Sequence, residues 1–440
     1  MSDKISIIHK SLKIRLYPDE NQKILLNKTF GCCRLLYNER LSEHIEWYNQ
    51  NKDLPKDQRS KSKGKLPKQL REEKYGFLNE AIAEPLIQSQ RNCEQAFNNF
   101  FKSLTKQRKG KKVGYPKFKS KKQHRDSFSI YMLPKNCLDW EHRLVTIPKL
   151  KQVKFRHAED KSDKWIGRFK EAILKHMTIS RNACGEYWCS VLFEREQGIY
   201  STICPSKAIG LDFSPNSLYI NDLNEEAPNF KKAKQENIKK LTKLQRNLMR
   251  KQKDSKNREK ARVKLAKFEN HIANIRRDYR EKETLRLVQN YDVIGIEDLN
   301  LQGMMKFSHN AKNYIDTSWY TFVTRLEQKA KFNNCLVIKS DRFYPSSKTC
   351  NHCGYVNKEL TLKDRTWICP NCGTKIIRDQ NAAQNLKENA LKILVDDIKS
   401  TLLLEQEDVM SMEGMEVNLC NSMIYGVSVE VEKRSSSVFS

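Results

Sequence analysis

No apolar run in this sequence approaches the ~20 residues a helix needs to cross a bilayer. The opening stretch, Met1 to Lys10, lacks the apolar centre of a secretory signal. Cysteine does not supply a disulfide framework either: there are 13, an odd number, and most are scattered. Cys32, Cys33, Cys93, Cys137 and Cys335 fall in segments patterned as helix or strand, the usage expected of reduced, buried thiols in an intracellular protein. Acidic residues are also short, with 53 Asp and Glu against 82 Lys and Arg, for a net charge of +29. Charge of that size calls for a polyanionic partner, nucleic acid before any membrane surface.

What is present divides the 440 residues into patterned regions, enough for two or three domains. Leu12 to Leu16 alternates apolar with basic and reads as a strand. Pro18 and Asp19 open a helix, Lys52 to Lys68 is a polar loop, and Leu86 to Leu104 is helical again. From Gly110 to about Cys204 short strands take over, at Phe128–Ile130, Leu144–Ile147, Val153–Phe155 and Tyr187–Phe193. A third region alternates buried strands (Ala208–Phe213, Ser217–Ile220, Val293–Glu297, Leu336–Lys339) with helices, an α/β layer pattern. Within it, Asp316 and Thr317 are placed to cap a helix through Leu326 and Ala330. The segment from about Val395 to Ser440 is acidic on balance and is expected to be a disordered tail.

Two sets of residues carry chemistry. Cys350, Cys353, Cys369 and Cys372 form a C-x₂-C…C-x₂-C pattern with Gly354 and Gly373 after the pairs, which predicts a four-thiolate Zn²⁺ ribbon. Four thiolates close the tetrahedron, leaving His352 as a surface residue and the site structural. The second set is Asp212, Glu297 and Asp379. The first two sit in apolar strands, where an acid is costly unless paired or metal-bound; the third starts a helix. Side by side they would offer hard oxygen ligands for Mg²⁺ or Mn²⁺. Singly, each has a plainer reading: a turn residue, a strand-end surface acid, an N-cap. Asp298 is left out, because a persisting strand points it away from Glu297.

These segments together resemble the TnpB (OrfB) family of insertion-sequence proteins, relatives of miniature type V CRISPR effectors. The resemblance runs through Lys13-Ile-Arg-Leu-Tyr-Pro, Gly31-Cys-Cys-Arg-Leu-Leu-Tyr-Asn, Ala96-Phe-Asn-Asn-Phe-Phe and Gly114-Tyr-Pro-Lys-Phe-Lys-Ser-Lys. It continues through Gly210-Leu-Asp-Phe, Ser255-Lys-Asn-Arg-Glu-Lys-Ala-Arg, Ile296-Glu-Asp-Leu-Asn, Tyr344-Pro-Ser-Ser-Lys-Thr-Cys and Arg378-Asp-Gln-Asn-Ala-Ala-Gln-Asn-Leu. Phe213-Ser214 after the first acid and Ile377 before Arg378 depart from the family pattern, and neither supplies a ligand.

The resemblance implies a multidomain α+β chain. An N-terminal, wedge-like β-barrel module would occupy 1–205, with helices inserted over about 19–105. A ribonuclease H-like (RuvC) domain would fill 206–394, with the zinc ribbon inserted at 345–376, and 395–440 would be the tail. It implies an RNA-guided DNA endonuclease of a transposable element that cuts double-stranded DNA beside a short target-adjacent motif. Asp212, Glu297 and Asp379 would be its catalytic triad, and a guide RNA and duplex DNA its partners. The protein would act as a monomer in a prokaryotic cytoplasm, at the nucleoid. Two divalent ions about 3.5–4 Å apart would serve phosphodiester hydrolysis, with Asp212 bridging them. Lys231 to Asn290 holds 21 basic and 7 acidic residues and is the main expected nucleic-acid surface. Within and beyond it, Lys117, Lys119, Lys256, Arg258 and Arg262 are candidate contacts, and Gln88, Gln90 and Arg91 candidate readers of the motif. Tyr344 and Trp367 could stack on bases or pack in a core. Rival readings are a guided repressor that does not cut, a cut-and-paste transposase, and a CRISPR-associated miniature effector.

Overall fold

The computed structural model describes residues 5–55, 58, 64–108, 110, 112–123, 126–134, 136–156, 172–198, 202–203, 205–301, 303–304, 314, 316–361, 363–407 and 423–424. The chain divides into two units, Ser6–Gln197 and Gly198–Ser440 with Met1–Ile5, so the division falls a few residues before the expected 205.

In the first unit, β1 (Ile5–Tyr17) leads into α1 (Glu20–Asn51). Asp19 starts that helix with a reciprocal cap: its carboxylate accepts the Gln22 N–H at 2.8 Å, and the Gln22 amide oxygen accepts the Asp19 N–H at 3.1 Å. α2 (Pro67–Glu73) and α3 (Ala83–Leu104) follow. The strands β2 (Asp126–Ile130), β3 (Leu138–Asp139), β4 (Leu144–Ile147), β5 (Lys151–Arg156), β6 (Ile173–Arg181) and β7 (Tyr187–Gly198) complete the unit. They form one seven-stranded sheet in the order β2-β6-β7-β1-β5-β4-β3. In chain order the helices thus lie between a central strand and an edge strand of this sheet. Among the described residues β2 and β3 do not pair with each other, so this is an open row of seven strands and not the closed barrel expected. Alternate residues turn inward, Ile14 and Leu16 from β1 and Val153 and Phe155 from β5, against Leu26, Phe30 and Leu36 of α1. Cys32, Cys33, Cys93 and Cys137 are buried here as free thiols, and Cys335 likewise in the second unit.

In the second unit, β8 (Thr202–Ile203) precedes β9 (Ala208–Ser214) and β10 (Leu218–Asn221). Then come α4 (Ala233–Glu236), α5 (Ile238–Met249), α6 (Lys256–Asn290), β11 (Val293–Glu297), α7 (Trp319–Asn333) and β12 (Leu336–Ser340). The short hairpin β13 (Thr366–Ile368) and β14 (Lys375–Ile377) leads into α8 (Arg378–Glu407). β15 (Met423–Ile424) pairs with β8. The main sheet runs β10-β9-β11-β12, with β9, β11 and β12 parallel and β10 antiparallel. Ile209, Leu211, Ile294 and Ile296 pack on one face with Trp319, Phe322 and Leu326 of α7. Ala208 and Val293 pack on the other with Ala390 and Leu394 of α8. Both faces being covered explains why these strands read as continuous apolar runs.

Two expectations need correction. α8 runs through the boundary expected near Val395 as far as Glu407, and Ile398, beyond that boundary, still packs against the cluster of Ala208, Val293 and Leu394. The rest of the expected tail, apart from Met423 and Ile424, lies outside the described residues. Asp316 does not cap α7, whose N-cap is Ser318 at a φ of 50°. Its carboxylate instead accepts the backbone N–H groups of Lys234 (3.1 Å) and Gln235 (3.0 Å) at the start of α4.

Candidate active site and metal centre

Strand register brings the first two acids together. Ile296 lies opposite Leu211 in the parallel pair β11–β9, so Glu297 and Asp212 occupy neighbouring places one residue further on. Two residues earlier, Gly295 is paired with Gly210. With a strand period of two, the glycines and acids share a face, and α8 lies on it. A Cβ on Gly210 would run into the Ala383 carbonyl oxygen, and one on Gly295 into that of Leu386. Bare backbone at both positions, met by Ala382, Ala383 and Ala390 on α8, lets the helix settle on the sheet. Its first turn then carries Asp379 over the strand ends.

Each acid has a distinct setting. Asp212 accepts no hydrogen bond from any described residue, and burial, then the charges of Glu297 and Asp379, push its carboxyl well above the usual carboxylate range. Glu297 is also raised by burial, opposed by Ser346, whose Oγ donates to its Oε1 at 2.5 Å. Asp379 faces two guanidinium groups: Arg378 Nη2 lies 3.0 Å from Oδ1, and Arg365 Nη1 3.0 Å from Oδ2. The Arg378 side chain is half-buried and that of Arg365 exposed. Asp212, close enough to Glu297 and Asp379 to feel both charges, makes with them a set of hard oxygen donors of the kind that divalent cations take. Asp298 stands apart, paired with Arg342 at 2.5 Å.

The second cluster lies between β12 and α8. The four cysteine sulfurs lie within 4.8 Å of one another, with Cys350–Cys372 at 3.8 Å and Cys353–Cys369 at 3.5 Å. A tetrahedron of 2.3 Å zinc–sulfur bonds spaces its sulfurs about 3.8 Å apart, so the cluster could hold zinc. Gly354 and Gly373 follow each pair at φ of 75° and 70°, left-handed backbone that a side chain would strain. Trp367 packs with Cys350, Leu360 and Ile376 in the core of this module, which settles its role against base stacking. His352 is exposed, as expected.

Asparagines on α8 join the clusters. Asn385 Nδ2 donates to the carbonyls of Ser346 and Thr349, both at 2.7 Å; Asn381 Nδ2 donates to Thr349 O at 2.7 Å and its Oδ1 accepts the Asn351 N–H at 2.9 Å. The loop that presents Ser346 to Glu297 is therefore the loop that enters the first cysteine pair. Ser346, Arg365, Asn381, Asn385 and the two glycines were not singled out in the sequence. The only signals were the i, i+4 asparagines and the glycines two places before each strand acid.

The nucleic-acid candidates scatter. Gln90 is buried and donates to the Lys65 carbonyl at 2.9 Å, so it clips a loop and is unavailable to a partner. Gln88 donates to Asn92 at 3.2 Å, and Arg91 is exposed. Lys119 folds its ammonium over the Tyr37 ring at 3.8 Å, while Lys117 is exposed. Arg258 donates to the carbonyls of Leu248 (3.2 Å) and Lys251 (2.9 Å), tying off the end of α5. Arg262 pairs with Glu259 at 2.6 Å, and Lys256 is exposed. Among the described residues, Lys239, Lys243, Arg246 and Arg250 on and just after α5 share one exposed basic face. Among the described residues no helix is long and apolar enough to cross a membrane.

Three family models match: a Cas12f1-like TNB domain over 319–386, a probable transposase of the OrfB_IS605 type over 198–308, and a helix-turn-helix domain of OrfB_IS605 proteins over 6–53. Residues 6–53 hold a strand and a single long helix, so the last description does not fit this geometry. A Streptomyces pristinaespiralis protein named "Putative RNA-guided DNA endonuclease" is 32% identical over 86% of this chain and 89% of its own. InsQ of Escherichia coli K12, similarly named, is 29% identical over 86% and 91%. TnpB-like protein L79 of Acanthamoeba polyphaga mimivirus is 28% identical over 32% and 27%. A chain from a cryo-EM structure of a Cas12f1–sgRNA–target DNA complex aligns at 12% identity and a TM-score of 0.46, over 87% of this chain and 99% of that one, too loose a likeness to argue from. The identity to the Streptomyces protein, sustained across nearly all of both chains, joins with the transposase and TNB matches to one conclusion: this chain belongs to the TnpB (OrfB) family.

Proposed function

We propose that the chain is a transposon-encoded, RNA-guided endonuclease that cuts double-stranded DNA beside a short motif. The observation that carries the reading is the nearness of buried Asp212 to Glu297, its neighbour across the β9–β11 pair, and to Asp379 in the first turn of α8. The sheet order supports a ribonuclease H-like domain: antiparallel β10 beside three parallel strands, with an isolated bridge from Ile220 to Glu226 extending the β10 edge. Two relatives similar over 86% of this chain bear the name of a putative RNA-guided DNA endonuclease.

In this reading Asp212, Glu297 and Asp379 hold Mg²⁺ or Mn²⁺, and the four cysteines hold Zn²⁺. Bound divalent ions would activate water and stabilise the leaving oxygen. The chain's own part is placement. Ser346 fixes one oxygen of Glu297, and Arg378 fixes one oxygen of Asp379. Strand register sets Asp212 beside Glu297. Choice of target falls to pairing between guide and DNA, while exposed cations such as those of α5 hold phosphates.

The test is cleavage of a guide-matched plasmid with and without Mg²⁺, using protein purified with its RNA. Magnesium-dependent linearisation is expected, and each triad acid changed to Ala should end it. Guided binding with no cleavage by the unaltered chain would replace this reading with that of a repressor.

A further inference from the structure

A cavity of about 320 Å³ lies between residues 229–231, the middle of α6 and residues 316–317 ahead of α7. That is near the lower bound for small-ligand sites, roughly 300–1,000 Å³. It would take one nucleotide but not a helix. None of the triad acids lines it.

Phe230 and Tyr279 give it an aromatic wall, with ring centroids 5.5 Å apart at 66°. Lys231, Arg276, Arg280 and Lys282 border it as cations, against Asp278 and Asp316. Both acids are engaged. Asp316 accepts two backbone N–H groups and lies 3.9 Å from Arg276, and Asp278 pairs with Lys282 at 2.7 Å on the exposed rim. Arg280 is different. It is half-buried, and among the described residues its guanidinium has no hydrogen bond or ion pair. Burial, then Arg276, depress its pKa, with Arg277 adding to the effect. Only Glu281 opposes them, and that carboxylate is held by Arg325 (2.8 Å) and Lys329 (3.2 Å).

A partly desolvated cation beside like charges is costly until an anion joins it. The guanidinium fork matches phosphate oxygens, and aromatic rings offer a base its stacking partner. We infer that this cavity binds a single nucleotide, with its phosphate on Arg280 and its base against Phe230 and Tyr279. The chemistry is that of a nucleoside monophosphate, whether turned out of bound RNA, turned out of a DNA strand, or free. In the first two cases the inference rests on the guided-nuclease reading.

The experiment is ultraviolet crosslinking of the full chain, purified with its RNA and loaded with duplex DNA, followed by nuclease digestion and peptide mass spectrometry. A one-nucleotide adduct is expected on peptides holding Phe230 or Tyr279, its mass telling ribose from deoxyribose. Arg280→Gln should cut adduct yield about tenfold, the scale of one lost stacking or phosphate contact. Arg277→Gln removes the same charge from an exposed residue that the cavity does not include, and should change the yield less than about twofold. Equal losses from the two variants at matched melting temperature, or adducts only elsewhere on the chain, overturn the inference and leave the guided reading standing. If no RNA copurifies, the guided reading falls, and calorimetric titration with AMP and UMP decides the cavity alone: Arg280-dependent binding supports it and no binding overturns it.

Discussion

The two ligand clusters near the head of α8 are assembled in opposite ways. The four cysteines come from one stretch of chain, Cys350 to Cys372, with little else to hold that stretch together: a core of Cys350, Leu360, Trp367, Cys369 and Ile376. The three acids come from β9, β11 and α8, far apart in sequence, and a covered sheet positions them. On the proposed reading, the ribbon's metal would be part of its fold, while at the carboxylates the fold would precede the metal. Loss of zinc should therefore be a folding event, and loss of a divalent ion an electrostatic one.

The largest expected effect is on the ribbon. Cys369→Ser should abolish retention of one Zn²⁺ per chain, because structural zinc in isolated finger peptides contributes roughly 10–16 kcal/mol to folding. Metal analysis and limited proteolysis within 345–376 check this, and a zinc-free ribbon resistant to protease would erase the contrast between the clusters. Asp379→Ala should leave the fold intact and lower cleavage by more than about a hundredfold, since losing even a partner of a metal ligand costs about 10–100-fold. Equal circular dichroism with no linear product is the expected pair of results. Gly210→Val should cost more than the roughly 1–3 kcal/mol of ordinary overpacking, because the obstacle is the Ala383 carbonyl of helix backbone; a melting curve measures it. Ser346→Ala should slow cleavage about tenfold by freeing Glu297, and unchanged rates would remove the hydrogen bond from the argument. The smallest effect is the most specific. Asp212→Asn, assayed without divalent ions, should raise the melting temperature by a few degrees, since it removes one of three charges held together. The same substitution in the cysteine cluster's neighbourhood has no counterpart, and a fall in melting temperature would mean the acids are not in repulsion.

The same contrast explains what could be read in the sequence. A local metal motif has a spacing, so the ribbon was visible from four cysteines and two glycines. Strands covered on both faces show as apolar runs, so β9, β11 and β12 were visible too. The convergence of the acids was a matter of register, and its support was hidden further: Gly210 and Gly295 matter only because α8 crosses them, and Ser346 only because its loop returns to Glu297. Misreadings came where a polar side chain had more than one use. Asp316 caps α4 and not α7, and Gln90 and Arg258 satisfy backbone carbonyls within the fold. Sequence shows that a donor exists but not which orphaned carbonyl lies within its reach.

The bare approach of α8 to Gly210 and Gly295 has a consequence for how such a chain can change. Scaffold and chemistry are encoded at different letters of the same two strands. An Asp codon becomes an Asn codon by one base, which on the proposed reading would silence Asp212 or Asp379 while the glycines keep the layers in place. A glycine codon becomes Val or Ala as easily, and that step leads toward a chain that no longer stacks. On the proposed reading, one mutation could remove cutting and leave the architecture, so a descendant that has lost the first could persist and one that has lost the second could not. If the proposed reading holds, the acids record whether such a protein still cuts, and the glycines whether it still folds.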